Sequence, residues 1–182
     1  MKIAVIDFVS SLSDHVFDML NRIGMDYVVF DHTVTLKDLE GFDALIFTGS
    51  HDTVYDGGRQ IDPAVLELGL PILGICYGHQ LVHYLLGGEV RQSPTPEYDP
   101  VLLRVTDSPL FKGLPREQMV AMHHGDEVVK MAEGFEKIGE TDGCFYAASQ
   151  NLEKKIFTLQ FHPEAEGNDY GREIFENYFD LI

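Results

Sequence analysis

The sequence predicts an α/β fold with a mostly parallel central sheet flanked by helices and an antiparallel addition. Through the first half of the chain, strand-like apolar runs alternate with stretches of helical spacing. These runs are apolar throughout instead of alternating with polar residues, which is typical of strands buried on both faces of a parallel sheet. After Gly88 the pattern changes to short strands separated by turn residues, which indicates the antiparallel part.

Each element of the first half has its own signal. Residues 12–23 have helical apolar spacing that ends before Gly24, and residues 63–68 place a proline in the first turn of a short helix. The predicted elements, in chain order, are strand 3–6, helix 12–23, strand 27–30, short helix 36–39, strand 43–48, short helix 63–68, strand 71–75 and helix 80–86.

The second half is predicted to form short strands followed by a C-terminal helix. The strand-like segments are 101–106, 119–122, 135–138, 145–149 and 155–161, and an apolar helix face is predicted over 170–182. The proline-rich segment 93–100 is interpreted as a loop within the domain. No internal repeat or low-complexity tract interrupts the chain, so residues 1–182 are predicted to form a single domain.

Composition excludes several classes of protein. The formal charge is −17, from 30 acidic against 13 basic residues, which argues against nucleic acid as a partner. No apolar run approaches membrane-spanning length, and no signal-peptide pattern follows the first strand. With only two cysteines, a reduced, cytoplasmic location is expected. The acidic surface favours a partner with a basic docking face or serves only solubility.

A nucleophile elbow is predicted where the apolar strand ends at Ile75. The residues Gly74-Ile75-Cys76-Tyr77-Gly78 are followed at once by a helix-forming stretch. In such an elbow a sharp strand-to-helix turn lifts one reactive side chain above the sheet, and small residues two before and two after it avoid a backbone clash. Cys76 is therefore a candidate thiol nucleophile for acyl transfer from an amide or ester.

A candidate base for this thiol lies in the segment His162-Pro163-Glu164. Pro163 disfavours helix at His162 and favours an extended conformation. Residues two apart in extended chain face the same side, so Glu164 can bind one ring nitrogen while the other faces the thiol. Such a glutamate would fix the tautomer of His162 and stabilise its imidazolium form.

These motifs carry a resemblance to a known family. Residues 74–80 (Gly-Ile-Cys-Tyr-Gly-His-Gln) with the later Gln-Phe-His-Pro-Glu of 160–164 resemble the class I, triad-type glutamine amidotransferases. Further segments occur in the order found in the amidotransferase domain of GMP synthases, namely 86–90, 96–98, 124–128, 133–136, 157–164 and 171–179. The resemblance covers most of the chain from Asp43 onward and implies the flavodoxin-like fold of that family.

The resemblance also implies a reaction and a set of site residues. Glutamine would be hydrolysed through a γ-glutamyl thioester on Cys76, with His162 as base and then acid, and Glu164 orienting it. The other implied positions are oxyanion donors at Tyr77, Gly49 and Ser50, substrate contacts at Gln80, His123 and His124, and an interface residue associated with ammonia delivery, Asp126.

The resemblance implies a partner as well. In the first hypothesis, ammonia passes to a separate ATP-pyrophosphatase subunit that converts XMP to GMP. ATP and magnesium would belong to that partner, and no cofactor is expected in this chain.

Departures from the family pattern leave two other hypotheses open. The oxyanion loop reads Thr48-Gly49-Ser50-His51 where the family usually has Gly-Gly-Pro, and His123 stands where serine is usual. A stand-alone γ-glutamyl hydrolase, or an amidotransferase paralogue with another ammonia acceptor, would fit these changes. A non-catalytic regulatory subunit is the third hypothesis, and the intact triad residues disfavour it.

The remaining conspicuous residues are interpreted as structural. The histidines lack compact ligand spacing, so no metal site is predicted. His79 and His83 lie four apart on the predicted helix, where a chance pair is the simpler explanation. Cys144 has no elbow and no partner acid, which favours a buried thiol without a catalytic role.

Overall fold

The computed structural model describes residues 1–182 and contains three α-helices and eleven strands. In chain order these are β1 (Lys2–Asp7), α1 (Ser13–Arg22), β2 (Asp26–Asp31), β3 (Ala44–Phe47), β4 (Ile72–Ile75), α2 (Tyr77–Leu85), β5 (Glu89–Glu97), β6 (Pro100–Val105), β7 (Glu117–Ala121), β8 (His124–Lys130), β9 (Glu136–Glu140), β10 (Ala148–Asn151), β11 (Ile156–Leu159) and α3 (Gly171–Phe179). Short 3-10 helices occupy Leu36–Leu39, Pro63–Glu67 and Pro109–Phe111.

Nine strands form one mixed sheet in the order β2-β1-β3-β4-β11-β10-β9-β6-β7. The strands from β2 to β11 in this order are parallel, and from β11 to β7 each neighbouring pair is antiparallel. A separate two-stranded antiparallel sheet joins β5 to β8. The predicted fold class is confirmed, and the parallel half is the part that carries the elbow.

Helices cover both faces of the parallel strands, as the uninterrupted apolar runs predict. Every residue of β3, β4 and β11 is buried. Apolar residues of α1 and α3 share one core cluster with one face of these strands, and those of α2 belong to the cluster on the opposite face. Burial on both faces explains why these strands show no polar alternation. None of the helices has the length and apolar character needed to cross a bilayer.

Two predictions of the second half were wrong in detail. The segment predicted as a loop over 93–100 contributes residues 93–97 to β5, which pairs with β8. Pro94 and Pro96 lack an N–H for the ladder, and the register is irregular between Gln92 and Glu97, where these prolines lie. An edge strand tolerates these missing hydrogen bonds. Proline content alone therefore led to the wrong prediction of a loop.

The strand predicted over 145–149 begins later, at Ala148. Residues 145–147 form a turn instead, and the Phe145 ring is exposed with the Lys137 ammonium 3.5 Å from its centroid. The aromatic pair Phe145-Tyr146 has high strand propensity, but propensity in strands depends on cross-strand packing, and these rings have no cross-strand partner.

Candidate active site

Cys76 lies at the sharp turn between β4 and α2. Its backbone has φ 52° and ψ −103°, a strained conformation for a residue with a side chain. The turn is held by the Cys76 N–H donating to Leu159 O at 2.7 Å and by the Gln80 N–H donating to Cys76 O at 3.1 Å. The predicted strand–turn–helix arrangement is thus present, with the thiol at the carboxyl end of the sheet.

The two glycines of the elbow are required by close backbone contacts. A Cβ on Gly74 would lie 2.9 Å from the carbonyl carbon of Gly78. A Cβ on Gly78 would lie 2.7 Å from both Cβ and the carbonyl oxygen of Phe47. Side chains at either position would force the strand and helix apart, which is the reason proposed for small residues at this spacing.

Parallel pairing of β4 with β11 brings His162 to Cys76. Leu159 is the register partner of Ile75, so the chain that leaves β11 passes beside the elbow. Nδ1 of His162 lies 2.7 Å from Oε1 of Glu164, and both side chains are buried. A carboxylate only accepts hydrogen bonds, so Nδ1 carries the proton of this bond and Nε2 is left for the thiol.

The surroundings of His162 favour its protonated, imidazolium form. Burial opposes the charged form of His162, but the negative charges of Cys76 and Glu164 and their hydrogen bonds outweigh it. Together they raise the pKa of His162 well above its ordinary value. The arrangement can therefore hold the proton of the thiol on His162.

Two further groups contact the sulfur. Sγ of Cys76 lies 3.7 Å from the backbone oxygen of His123, and Nε2 of Gln160 lies 3.7 Å from the same sulfur. The carbonyl can accept the thiol proton, whereas the amide can donate to the sulfur.

The predicted oxyanion donors lie around the same thiol. The N–H groups of Tyr77, Gly49 and Ser50 make no hydrogen bond within the protein. A Cβ on Gly49 would lie 3.0 Å from Cε1 of His162, so this loop approaches the base closely. The Gly78 N–H donates to Thr48 O at 3.2 Å and ties the loop to the elbow.

A cavity of about 280 Å³ opens over Cys76. All three residues predicted to contact substrate line it, and so does the predicted interface residue. The lining residues are Ser50, His51, Asp52, Thr53, Cys76, Gln80, Gln92, Tyr98, His123, His124, Gly125 and Asp126. The volume is close to the lower bound of about 300 Å³ for ligand clefts, and the mostly polar lining suits a small polar molecule.

The residues around the cavity mouth are anchored to one another. Both ring nitrogens of His124 face oxygen acceptors, Oε2 of Glu97 at 3.2 Å and the backbone oxygen of Asp126 at 3.0 Å. The Tyr55 hydroxyl donates to Oδ1 of Asp126 at 2.9 Å. The His124 ring thus supports the cavity wall, and its backbone, together with that of His123, borders the space.

Two residues of this site, Gln160 and Glu97, had no role predicted from the sequence. Gln160 lies two residues before His162, and this closeness in the chain could have indicated it, although residues 160–164 are bent and not extended. Glu97 accepts hydrogen bonds from Thr141 and lies beside His124, a contact that depends on the pairing of β5 with β8. No local signal could have revealed that pairing.

His79 and His83 are part of a buried polar network beneath the elbow. Nδ1 of His79 lies 2.7 Å from Oγ1 of Thr158, and Nε2 of His83 lies 2.8 Å from Oγ of Ser149. Burial lowers the pKa of His79 and lowers that of His83 to about 3, so both rings are neutral. Their placement is therefore structural, since they bind α2 to β10 and β11. Cys144 is buried as predicted, and burial raises the pKa of its thiol.

Comparison with known proteins identifies relatives over nearly the whole chain. The family model for glutamine amidotransferase class-I matches residues 4–181. GMP synthases (glutamine-hydrolysing) of Staphylococcus carnosus and Latilactobacillus sakei are 36% and 38% identical over 97% of this chain. The chain spans only 35% of the length of these two relatives.

Solved structures show the same fold. A candidate GMP synthase subunit of Thermoplasma acidophilum superposes with a TM-score of 0.89 at 26% identity, covering 100% of this chain and 93% of that one. A Thermotoga maritima glutamine amidotransferase superposes with a TM-score of 0.76 at 17% identity, covering 99% of this chain and 83% of that one. At this lower identity the likeness concerns the fold alone.

Proposed function

Because the chain belongs to the class-I glutamine amidotransferase family, we propose that it hydrolyses glutamine at Cys76 and delivers the ammonia to a GMP-forming synthetase. The observation that carries this proposal is the arrangement of one buried thiol on a strained turn. That thiol neighbours a histidine held at 2.7 Å by a buried glutamate and opens into a small polar cavity.

The first half-reaction forms a thioester. Sγ of Cys76 attacks the side-chain amide carbon of glutamine while its proton resides on His162. The carbonyl oxygen becomes an oxyanion, and the free N–H groups of the elbow and the Gly49 loop are its donors. The C–N bond then breaks as His162 gives the proton to the leaving nitrogen, which departs as ammonia.

The second half-reaction releases glutamate. Water gives a proton to the now neutral His162 and attacks the thioester carbon. The C–S bond breaks, the sulfur recovers a proton from His162, and the product acid leaves as carboxylate after its remaining proton passes to solvent water. Glu164 holds His162 in one tautomer through both steps, since its Oε1 accepts from Nδ1 in the neutral and the protonated ring alike.

The cavity provides groups for the amino-acid end of glutamine. The carbonyl oxygen of the Gln80 amide is left free, because only its nitrogen is engaged by protein. We assign Gln80 and the backbone at His123 and His124 to substrate contact, and Asp126 to the rim that faces the partner.

The proposed ammonia acceptor is XMP on a separate ATP-pyrophosphatase chain. The support is similarity to GMP synthases at 36–38% identity, together with coverage of only 35% of those longer chains. A further support is the 93% coverage of the Thermoplasma acidophilum protein. ATP and magnesium would bind to the synthetase, which activates XMP for attack by ammonia.

The test measures both halves of the proposal. Glutamate release is followed with and without a GMP synthase ATP-pyrophosphatase chain loaded with ATP, magnesium and XMP, using glutamine labelled with ¹⁵N in the amide. We expect stimulation of glutamate release and ¹⁵N in the GMP formed, both lost in Cys76→Ala. No stimulation and no label in GMP would contradict the synthetase assignment.

One observation favours a second candidate, a stand-alone γ-glutamyl hydrolase. Ser50 and His51, which depart from the family pattern, both line the cavity over Cys76. A screen of γ-glutamyl amides decides between the two, since strong preference for glutamine would count against this candidate. Labelling of Cys76 by a glutamine-analogue electrophile, absent in Cys76→Ala, would remove the non-catalytic hypothesis.

A further inference from the structure

A chain of hydrogen bonds leads from strand β8 to the sulfur of Cys76. Nε2 of Gln80 donates to the backbone oxygen of Asp126 at 2.9 Å and to Oε1 of Gln160 at 3.1 Å. Nε2 of Gln160 in turn lies 3.7 Å from Cys76 Sγ. Gln80 is 4% exposed and Gln160 is fully buried, so the bond between their side chains is shielded from solvent.

The donor-to-acceptor direction along these hydrogen bonds is set by the first acceptor, the backbone oxygen of Asp126. A backbone carbonyl can only accept, so Gln80 must present its NH₂ group, not its oxygen, to Asp126. The second N–H of that group then points at Gln160, whose carbonyl oxygen must accept it. Gln160 therefore presents its NH₂ group to the sulfur, because the opposite orientation would face donor against donor.

The sulfur thus lies between groups that favour different protonation states. The backbone oxygen of His123 accepts from a thiol but repels a thiolate. An amide N–H does the reverse, since it donates more strongly to a negative acceptor than to a neutral one. Gln160 has no charge and does not titrate, so its effect persists when His162 changes protonation during the reaction.

We propose that Gln160 is a positioning residue that holds Cys76 Sγ and favours its thiolate through an N–H donor oriented by Gln80. This inference rests on the proposed role of Cys76 as the nucleophile. Gln160 and His162 lie two apart on the short bent segment that follows β11, so one stretch of chain presents a neutral donor and a base to the same sulfur.

The test measures the reactivity of Cys76 without substrate. The rate of alkylation by iodoacetamide is followed in the full chain from pH 5 to 10, with peptide mass spectrometry to separate Cys76 from Cys144. The main variant is Gln160→Met, which keeps the approximate volume and removes the donor. We expect alkylation at pH 7 to be slower by about tenfold and the pH profile to move to higher pH.

Two other variants test the series of hydrogen bonds from Asp126 through Gln80 and Gln160 to Cys76 Sγ. Gln150→Met is the matched control, because Gln150 is another buried glutamine, on strand β10, whose amide bonds Ser108 and Glu136 instead of the thiol. Its profile is expected to match that of the parent chain. Gln80→Met should slow alkylation by a smaller factor and add nothing to Gln160→Met, since both act through one donor.

The inference is overturned if Gln160→Met still unfolds cooperatively in urea but keeps the parent profile, or if Gln150→Met shifts the profile equally. Should Gln160→Met fail to fold, Gln160→Glu replaces it, because it keeps the shape and the acceptor for Gln80 but turns an oxygen toward the sulfur. An unchanged rate in Gln160→Glu would overturn the inference. Glutaminase activity is not used, so failure of the proposed function would be visible separately.

Discussion

At the scale of single residues, Glu164 influences the chemistry only through the His162 ring. We expect Glu164→Gln to lower the kcat of glutamine hydrolysis by about 10²–10⁴, by analogy with the loss of the orienting acid in serine-protease triads. A glutamine NH₂ can donate to Nδ1 and place the proton on Nε2, where it blocks uptake of the thiol proton. Steady-state glutamate release measures this effect.

The control for that variant is Glu166→Gln, two residues along the chain. Glu166 is exposed and makes no hydrogen bond or ion pair, so its kcat should match the parent value. Equal losses in the two variants would contradict an orienting role for Glu164.

Stability should depend on pH through the same histidine. The pKa of His162 lies well above its ordinary value, which is about 6.5 in an unfolded chain. Above that pH the folded chain keeps a proton that the unfolded chain has released. The stabilisation is therefore complete below about pH 6.5 and falls as pH rises toward the folded-state pKa, less steeply than for an isolated histidine because His162 shares this proton with the Cys76 thiol.

Urea unfolding of the parent chain and of His162→Gln at pH 6, 7, 8 and 9 measures this dependence. The difference in free energy of unfolding between the two should shrink as pH rises. Parallel curves over the whole range would show that His162 has the same proton affinity in both states.

At the scale of elements, the approach of α2 to β3 sets the elbow geometry. A methyl group at position 78 meets both the backbone and the side chain of Phe47 at 2.7 Å. We expect Gly78→Ala to lower the free energy of unfolding by about 1–3 kcal/mol, the usual range for overpacking, and to reduce glutaminase activity because α2 begins directly after Cys76. Urea unfolding and glutamate release measure the two effects.

Gly69→Ala is the control that separates a loss of stability from a loss of glutaminase activity. Gly69 has φ 71° but open space for a Cβ, so alanine there costs backbone strain of about 1–2 kcal/mol without moving the elbow. Its glutaminase activity should remain at the parent value. Full activity in Gly78→Ala would contradict the link between this contact and the nucleophile.

At the scale of the whole molecule, the charge of −17 bears on partner association. If the synthetase presents a basic face, its encounter with this chain is accelerated by attraction that salt screens over about 10 Å at 0.1 M ionic strength. We expect stimulation by limiting synthetase to fall several-fold between about 50 and 300 mM NaCl. Basal glutamate release at both concentrations is the control, and unchanged stimulation would indicate that the acidic surface serves solubility alone.

Much of the functional core could be predicted because its signals are local. The spacing of Gly74 and Gly78 around Cys76 reflects contacts made within a few residues of the turn, apart from that with Phe47. The pairing of His162 with Glu164 was predicted from two-residue alternation in extended chain, but residues 162–165 form a turn in which the Ala165 N–H donates to His162 O at 3.1 Å, and this turn brings the two side chains together. The buried parallel strands were visible as uninterrupted apolar runs, since both of their faces are covered.

By itself, therefore, the sequence determined the elbow, the histidine–glutamate pair and the parallel half of the sheet. Only the tertiary structure decided that β5 pairs with β8 across two prolines and that β11 lies beside β4. It also decided that Gln160 presents a donor to the thiol. The physical reason is that these contacts join residues far apart in the chain, and no local propensity or spacing specifies which distant strand becomes a neighbour.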